Sequence, residues 1–379
     1  MWKVKNANMT SDYKKHLYAL VLAGGPGKRL WPLSTEKTPK QFLRLFAGKT
    51  LFELTIDRVR KLLPWKRIYV GIVGNKYKEI ILGLCPRLPP ANIIVEPEGR
   101  DSGPAHGLGA LYIRKKDPDA VIVNAAADQI IDPEKNYLKA MSVAAEYAYG
   151  SKMLIAVGVV PSYAHTGVGY IHKGKKLSRI SKTDIFNIDN FTEKPRSRIA
   201  RDYINSGKHF WNANNYVWRA DVYLSALRKH AKNIYKWLEL IDRALGTNNE
   251  KTALKKYFPK VPKISIDYAI SEKAKNFAMI IGEYYWSDVS NWQEVWNNLE
   301  KDKAKNAVYS FTHPKNLTIL LSAKDNLVVS AGVDVVVTKV KGLVIVASQK
   351  GVLITKKEYS QDVKTAVSLL MDKKATLGN

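Results

Sequence analysis

Between Leu22 and Leu43 the chain reads LAGGPGKRLWPLSTEKTPKQFL. Three glycines stand beside the cationic pair Lys28–Arg29, and Lys40 follows eleven residues after Arg29. Gly24, Gly25 and Gly27 would let backbone N–H groups approach phosphate oxygens, and the planar guanidinium of Arg29 can grip a polyphosphate through its fixed donors. Lys40 reaches the same place if the loop folds back. A tight surface turn with solvated charges is the competing reading of such a loop. Two common phosphate motifs are absent. Nothing matches G-x-x-x-x-G-K-[ST], and Gly25-Pro26-Gly27-Lys28-Arg29-Leu30 lacks the last glycine of G-x-G-x-x-G.

The elements that must position this loop are legible as a pattern. Apolar runs recur at 17–24, 67–74, 92–98, 120–128 and 153–160, separated by segments of helical spacing such as TLFELTIDRVRKLL and YLKAMSVAAEYAY. Near-continuous apolar strands alternating with amphipathic helices predict a doubly wound, mostly parallel α/β sheet covered on both faces. Its ligands would bind beyond the carboxyl ends of the strands. The texture changes after about residue 160, where FWNANNYVWRADVY is rich in aromatics. AMIIGEYYWSD (278–288) reads as one further strand. Beyond residue 300 short β-branched strands alternate with turn residues, and SQDVKTAVSLLMDKK reads as a closing helix. The expected division is an N-terminal extension over 1–16, one large domain over 17–300 and a smaller β-rich domain over 301–379.

Bulk properties exclude several classes. Hydrophobic residues make up 46% and charged residues 25% of the 379, which fits a folded, soluble domain structure. No apolar run approaches the ~18 residues of a membrane span. LYALVLAGG follows a basic start as a signal-peptide core would, but it leads straight into PGKRLWP, so the expectation is a cytoplasmic protein. Cys85 is the only cysteine, which rules out internal disulfides and cysteine-cluster zinc sites. The formal charge of +27 invites nucleic acid as a partner. The lysines are dispersed, however, with no block of five or six and no nucleic-acid module. The seven histidines show no metal-ligand spacing.

Beyond the bare loop, the sequence resembles the sugar-nucleotide pyrophosphorylases, and most closely the mannose-1-phosphate guanylyltransferases. After the loop come, in order, VEPEGRDSGPA, AAADQII, TGVGYI, FTEKP, FWNANNYVW, SIDYAISEK and WSDVSNW. The resemblance covers roughly residues 17 to 300. It implies a Rossmann-like nucleotidyltransferase domain, and a C-terminal left-handed β-helix-like domain of the kind often used in dimer contacts, hence a homodimer. It implies transfer of GMP from GTP to mannose 1-phosphate, with pyrophosphate as leaving group and no covalent enzyme intermediate. Catalysis would then rest on in-line positioning and charge neutralisation. The alternatives are a relative using another sugar 1-phosphate or nucleotide, and a non-catalytic nucleotide-sugar sensor.

The resemblance also implies roles. Arg29 would bind the leaving pyrophosphate portion and Lys40 would neutralise the reacting phosphates. Leu22, Ala23, Gly24, Gly25, Gly27 and Lys28, with Arg100 and Pro104 of EGRDSGP, would frame the nucleotide. Mg²⁺ would be held by Asp128 and Asp288, which lie at two strand ends, with Asp128 also on the nucleotide side. Glu193, Lys194, Asn212 and the backbone of Gly167 and Gly169 would hold the sugar phosphate. Trp211, Tyr216 and Trp218 read as core aromatics. The chain departs from the family at several places. RDSGP stands for RNTAP, ADQ for ADH, HTGVGYI for ETGYGYI and WNAN for WNSG, while Ser290 replaces a glycine.

Overall fold

The structure, a computed structural model, describes residues 12–25, 27–46, 48–311 and 316–377. The chain divides into two compact units, each assembled from separated stretches. One comprises the residues up to Gly24, Thr55–Ala126 and Ile131–Trp286, and the other Gly25–Leu54, Ala127–Ile130 and the residues from Ser287 onward.

In the first half of the chain the strands are β1 (Leu17–Leu22), β2 (Ile68–Val73), β3 (Ile93–Glu96), β4 (Val121–Ala126), β5 (Gln129–Asp132) and β6 (Leu154–Val159). There follow β7 (Gly169–Ile180), β8 (Thr183–Thr192), β9 (His209–Arg219), β10 (Phe277–Gly282) and β11 (Tyr285–Asp288). The first unit is built on a nine-stranded sheet in the order β3-β2-β1-β4-β9-β6-β10-β8-β7, with β9 also pairing β7. Seven of the nine strands share one direction; β8 and β9 oppose them. The expected mostly parallel, doubly wound sheet is therefore present, with an antiparallel strand at its centre. That strand is FWNANNYV, whose polar and aromatic residues hide its buried strand character. Trp211, Tyr216 and Trp218 lie in the core as expected.

Winding reverses between β1 and β4, which are neighbours with Leu22 opposite Ala126. The glycine loop leaves β1 at this switch point, and Asp128 follows β4 by two residues. The helix Ser102–Lys116 packs on β1, β2 and β3 through a face of small residues. A Cβ on Gly109 would stand 2.2 Å from the Leu20 side chain. The stretch 278–288 is two strands rather than the expected one. β10 lies in the large sheet beside β6, whereas β11 forms a separate ribbon with β5. Asp12–His16, within the N-terminal extension, forms a short 3₁₀ turn with Tyr13 buried; residues 1–11 lie outside the described part.

The second unit carries β12 (Ala307–Ser310), β13 (Thr318–Leu321), β14 (Leu327–Ala331), β15 (Val335–Thr338), β16 (Leu343–Ser348) and β17 (Gly351–Lys356). Successive strands alternate between two parallel sheets, β12-β14-β16 and β13-β15, with β17 returning antiparallel to β16. Alternation of this kind makes coils of a β-helix-like domain. Leu327 and Val329 join one apolar cluster while Val328 joins another, and Val344 and Val346 repeat the pattern opposite Ala347. Both faces of the sheet are therefore covered, which explains its β-branched runs. Asn306 and Asn326 stack between coils, with Asn326 Nδ2 donating to Asn306 Oδ1 at 3.2 Å. The closing helix, Val363–Leu377, packs against Lys28–Leu30.

Alanine exceeds glycine in helix propensity by about 1 kcal/mol, yet at position 109 crowding against Leu20 outweighs the gain. Gly109→Ala should therefore lower unfolding free energy by about 1–2 kcal/mol, read from the denaturation midpoint.

Candidate active site

Lys40 opens a short 3₁₀ turn, Lys40–Phe42, and its side chain is buried. Its Nζ lies 2.8 Å from Asp128 Oδ2 and 3.4 Å from Asp288 Oδ1. The two carboxylates, 160 residues apart in sequence, thus face one ammonium. Burial opposes the charge on Lys40, but Asp128 and Asp288 outweigh it and hold the ammonium above its ordinary range. Burial also pushes the Asp128 carboxyl up; Lys40 pulls it down and the negative charge of Asp288 adds to the push.

Local structure fixes all three. The Val289 amide donates to the Asp128 carbonyl at 3.0 Å, joining the two aspartate segments by backbone. Val289 and Trp292 enter the same apolar cluster as Leu30 and Leu43, and Trp292 Nε1 donates to the Trp31 carbonyl at 3.0 Å. Asn291 caps the following turn of helix by accepting from the Glu294 amide. Gly27 has φ +62°, a left-handed conformation, and a Cβ there would lie 2.7 Å from Lys40 Cβ and 3.0 Å from Ser34 Oγ. This glycine therefore makes room for the lysine stem, a reason the sequence does not disclose. Gly25 also has positive φ and is exposed, as is Lys28. Arg29 is half-buried, and its Nε has no hydrogen-bond partner among the described residues.

Two carboxylates aimed at one point suit a hard divalent cation, which takes one or two carboxylates and completes its shell with phosphate oxygens and water. Among the described residues no group of three or more acidic, histidine or cysteine side chains is placed to hold a metal ion. Asp128 and Asp288, converging on the Lys40 ammonium, could hold such an ion.

The first unit brings the sugar-side candidates together. Lys194, with φ +47°, extends its ammonium to Glu193 Oε1 at 2.6 Å. A Cβ on Gly169 would meet Glu193 Oε2 at 2.6 Å, so only glycine admits that carboxylate. Asn212 is buried, and its Nδ2 donates to Tyr216 Oη at 2.8 Å and Asp267 Oδ1 at 3.0 Å. Tyr216 also donates to Asp267, at 2.9 Å. Burial pushes the Glu193 carboxyl up and Asp267 adds to it; burial likewise raises Asp267. Asp267 begins a π-helical turn, Asp267–Ser271, a distortion often found at functional sites. It lies within SIDYAISEK, yet sequence reasoning assigns it no role. Gly167 is exposed, its amide donating to His165 Nδ1 at 2.9 Å.

On the nucleotide side, Leu22 ends β1, the Ala23 amide donates to the Gly71 carbonyl at 2.9 Å, and Gly24 is exposed beside Val73. Arg100 pairs with Glu98 and donates to the Pro259 carbonyl. Pro104 is buried in the first turn of its helix. Glu96, at the end of β3, is buried, and desolvation pushes its carboxyl up to about 8.

A loop of glycine and cationic residues, with a lysine held by two strand-end aspartates, is an arrangement suited to phosphate groups. Residues 18–305 match the nucleotidyl transferase family. The chain belongs to that family and is a nucleotidyltransferase. A mannose-1-phosphate guanylyltransferase 2 of Escherichia coli O157:H7 is 32% identical over 366 residues, covering 93% of this chain and 73% of that one. A mannose-1-phosphate guanylyltransferase of Salmonella muenchen is 33% identical over 360 residues, with the same coverage. A crystal structure from Thermus thermophilus, described as a mannose-1-phosphate geranyltransferase, superposes with a TM-score of 0.82. It is 30% identical and covers 94% of this chain and 99% of its own. Enzymes of this family generally use a divalent metal. Among the described residues no helix is long and apolar enough to cross a membrane.

Gly27→Ala would push against the Lys40 stem and strain a left-handed residue. It should lower turnover at least about tenfold, since displaced catalytic groups cost rate steeply, while circular dichroism remains that of the wild type. Glu96 offers a pH test. Its folded value of about 8 exceeds the ordinary 4.5. Between these only the unfolded chain ionises, so stability falls as pH rises through that window. Glu96→Gln should flatten this fall, leaving the variant with a shallower loss of thermal midpoint as pH rises through that same window.

Proposed function

We propose that the protein transfers GMP from GTP to mannose 1-phosphate, giving GDP-mannose and pyrophosphate. An oxygen of the sugar's phosphate attacks the α-phosphorus, the bond to the β,γ-pyrophosphate breaks, and pyrophosphate leaves. The observation that carries this reading is Lys40 seated against Asp128 and Asp288. Support for the particular substrates comes from relatives named mannose-1-phosphate guanylyltransferase.

In this reading Lys40 supplies fixed positive charge to the reacting phosphates, and Arg29 takes the leaving pyrophosphate through its planar guanidinium. Asp128 and Asp288 would hold Mg²⁺, and the bound ion would supply positive charge against the phosphate oxygens. Leu22, Ala23, Gly24, Gly25, Gly27 and Lys28 frame the nucleotide, as do Arg100 and Pro104. Glu193 accepts hydrogen bonds from sugar hydroxyls and Lys194 meets the sugar phosphate. Gly167 and Gly169 offer backbone to the sugar, and Asn212, held by Tyr216 and Asp267, completes its pocket. The working compartment is the cytoplasm and the working form a homodimer.

With purified protein and Mg²⁺, pyrophosphate release should be fastest for GTP with mannose 1-phosphate, among GTP, ATP, UTP and dTTP offered against several sugar 1-phosphates. Preference for another pair would overturn the substrate assignment. Asp128→Asn, Asp288→Asn and Lys40→Met should each reduce turnover about a hundredfold or more. EDTA should stop turnover and added Mg²⁺ restore it.

A further inference from the structure

The first unit contains a cavity of about 220 Å³ that none of these roles uses. One wall is the first turns of the helix Glu134–Ser151, another the turn between β7 and β8, and the third the end of β10. Asn136 Nδ2 donates to the Glu283 carbonyl at 2.6 Å, so two of these walls are tied together. We propose that this cavity is a binding site for a phosphorylated sugar, separate from the transfer chemistry.

Three observations support the class of ligand. Lys139 and Lys182 line the cavity from two different walls and supply two ammonium groups for a phosphate. Asp184 and Glu283 also line it; Asp184 already pairs with Lys176 at 2.6 Å and Arg179 at 3.3 Å, which leaves two ammonium groups against the single carboxylate of Glu283. Phe186, Ile281 and Ala140 give an apolar surface suited to the C–H face of a sugar ring, beside the polar Asn136 and Thr183.

The backbone under Lys182 adds an independent argument. Ile180 pairs with Thr183, so Ser181 and Lys182 form a two-residue hairpin turn. Both have positive φ, +47° and +66°. That turn favours asparagine and glycine, and a lysine there is strained. Strained residues cluster at active and ligand-binding sites. Here the side chain reaches a cavity whose opposite wall carries a second lysine.

Calorimetric titration of the full chain with glucose 6-phosphate, which lacks the anomeric phosphate, tests the site. Glucose 6-phosphate should bind at submillimolar to millimolar concentration, more tightly than inorganic phosphate. The Lys139→Glu, Lys182→Glu double variant should bind it at least about tenfold more weakly, the scale of lost charge-assisted contacts, with basal transfer rate unchanged. Lys182→Gly should weaken binding yet leave the thermal midpoint equal or higher, because glycine accepts the turn without strain. No binding at millimolar concentration would overturn the proposal. So would equal affinity for inorganic phosphate, or unaltered affinity in the double variant and in Lys182→Gly.

Discussion

The ammonium of Lys40 between the carboxylates of Asp128 and Asp288 is the constraint on which the second unit depends. Two neighbouring, half-buried carboxylates repel, and one cation between them relieves this only in part. The triad therefore carries a net negative charge in a shielded place, where charge acts more strongly than in water. Such a site favours additional positive charge, which a divalent ion bearing a polyphosphate would bring. The lysine's buried stem and the positive φ of Gly27 are two sides of this requirement. The stem cannot lie where it does unless position 27 lacks a Cβ.

Rigid support for these charges comes from ordinary apolar packing. Leu30, Leu43, Val289 and Trp292 share a cluster with Leu327, Val329, Val344 and Val346 of the β-helix-like coils. The C-terminal strands thus serve as the floor under the loop and under the Asp288 segment within one unit. Charged groups meant to act without reorganising need such a floor, because preorganised dipoles and charges cost nothing further at the moment of reaction. In the other unit, Asp267 plays a similar part for Asn212. It takes hydrogen bonds from Asn212 and Tyr216 and so orients the amide, at the expense of its own burial.

Much of this is legible in the sequence, and the limits have physical causes. Continuous apolar runs give away β1, β2, β4 and β6 because a strand buried on both faces needs no polar residue. β9 is hidden because Asn212 and Asn215 are buried polar residues satisfied or packed within the sheet, so its pattern is not apolar. The break between β10 and β11 is hidden for the opposite reason, since IIGEYYW remains strand-like while its pairing partner changes. Lys40 stands out by its distance from the glycine loop, whereas the pairing of Asp128 with Asp288 emerges through the resemblance, as no local pattern joins residues so far apart. Asp267 escapes notice because a single aspartate in a helical segment reads as a cap.

Several departures from the family pattern prove to be matters of backbone rather than of chemistry. Asn214, in the WNAN that stands for the expected WNSG, has φ +52°, which asparagine tolerates better than most side chains. Asp101 has φ +70° and caps its helix by accepting from the Ser102 amide at 2.7 Å. Ser102 Oγ accepts from the Ile266 amide at 2.9 Å and so holds the start of the turn that carries Asp267. His165 accepts from the Gly167 amide and packs on Trp211. Each substituted residue satisfies a local demand of the fold with its own side chain. Substitution at turns and caps of this kind changes loop shape without adding or removing charge at Lys40, Asp128 or Asp288, so the loops that those turns shape are where altered base or sugar preference has room.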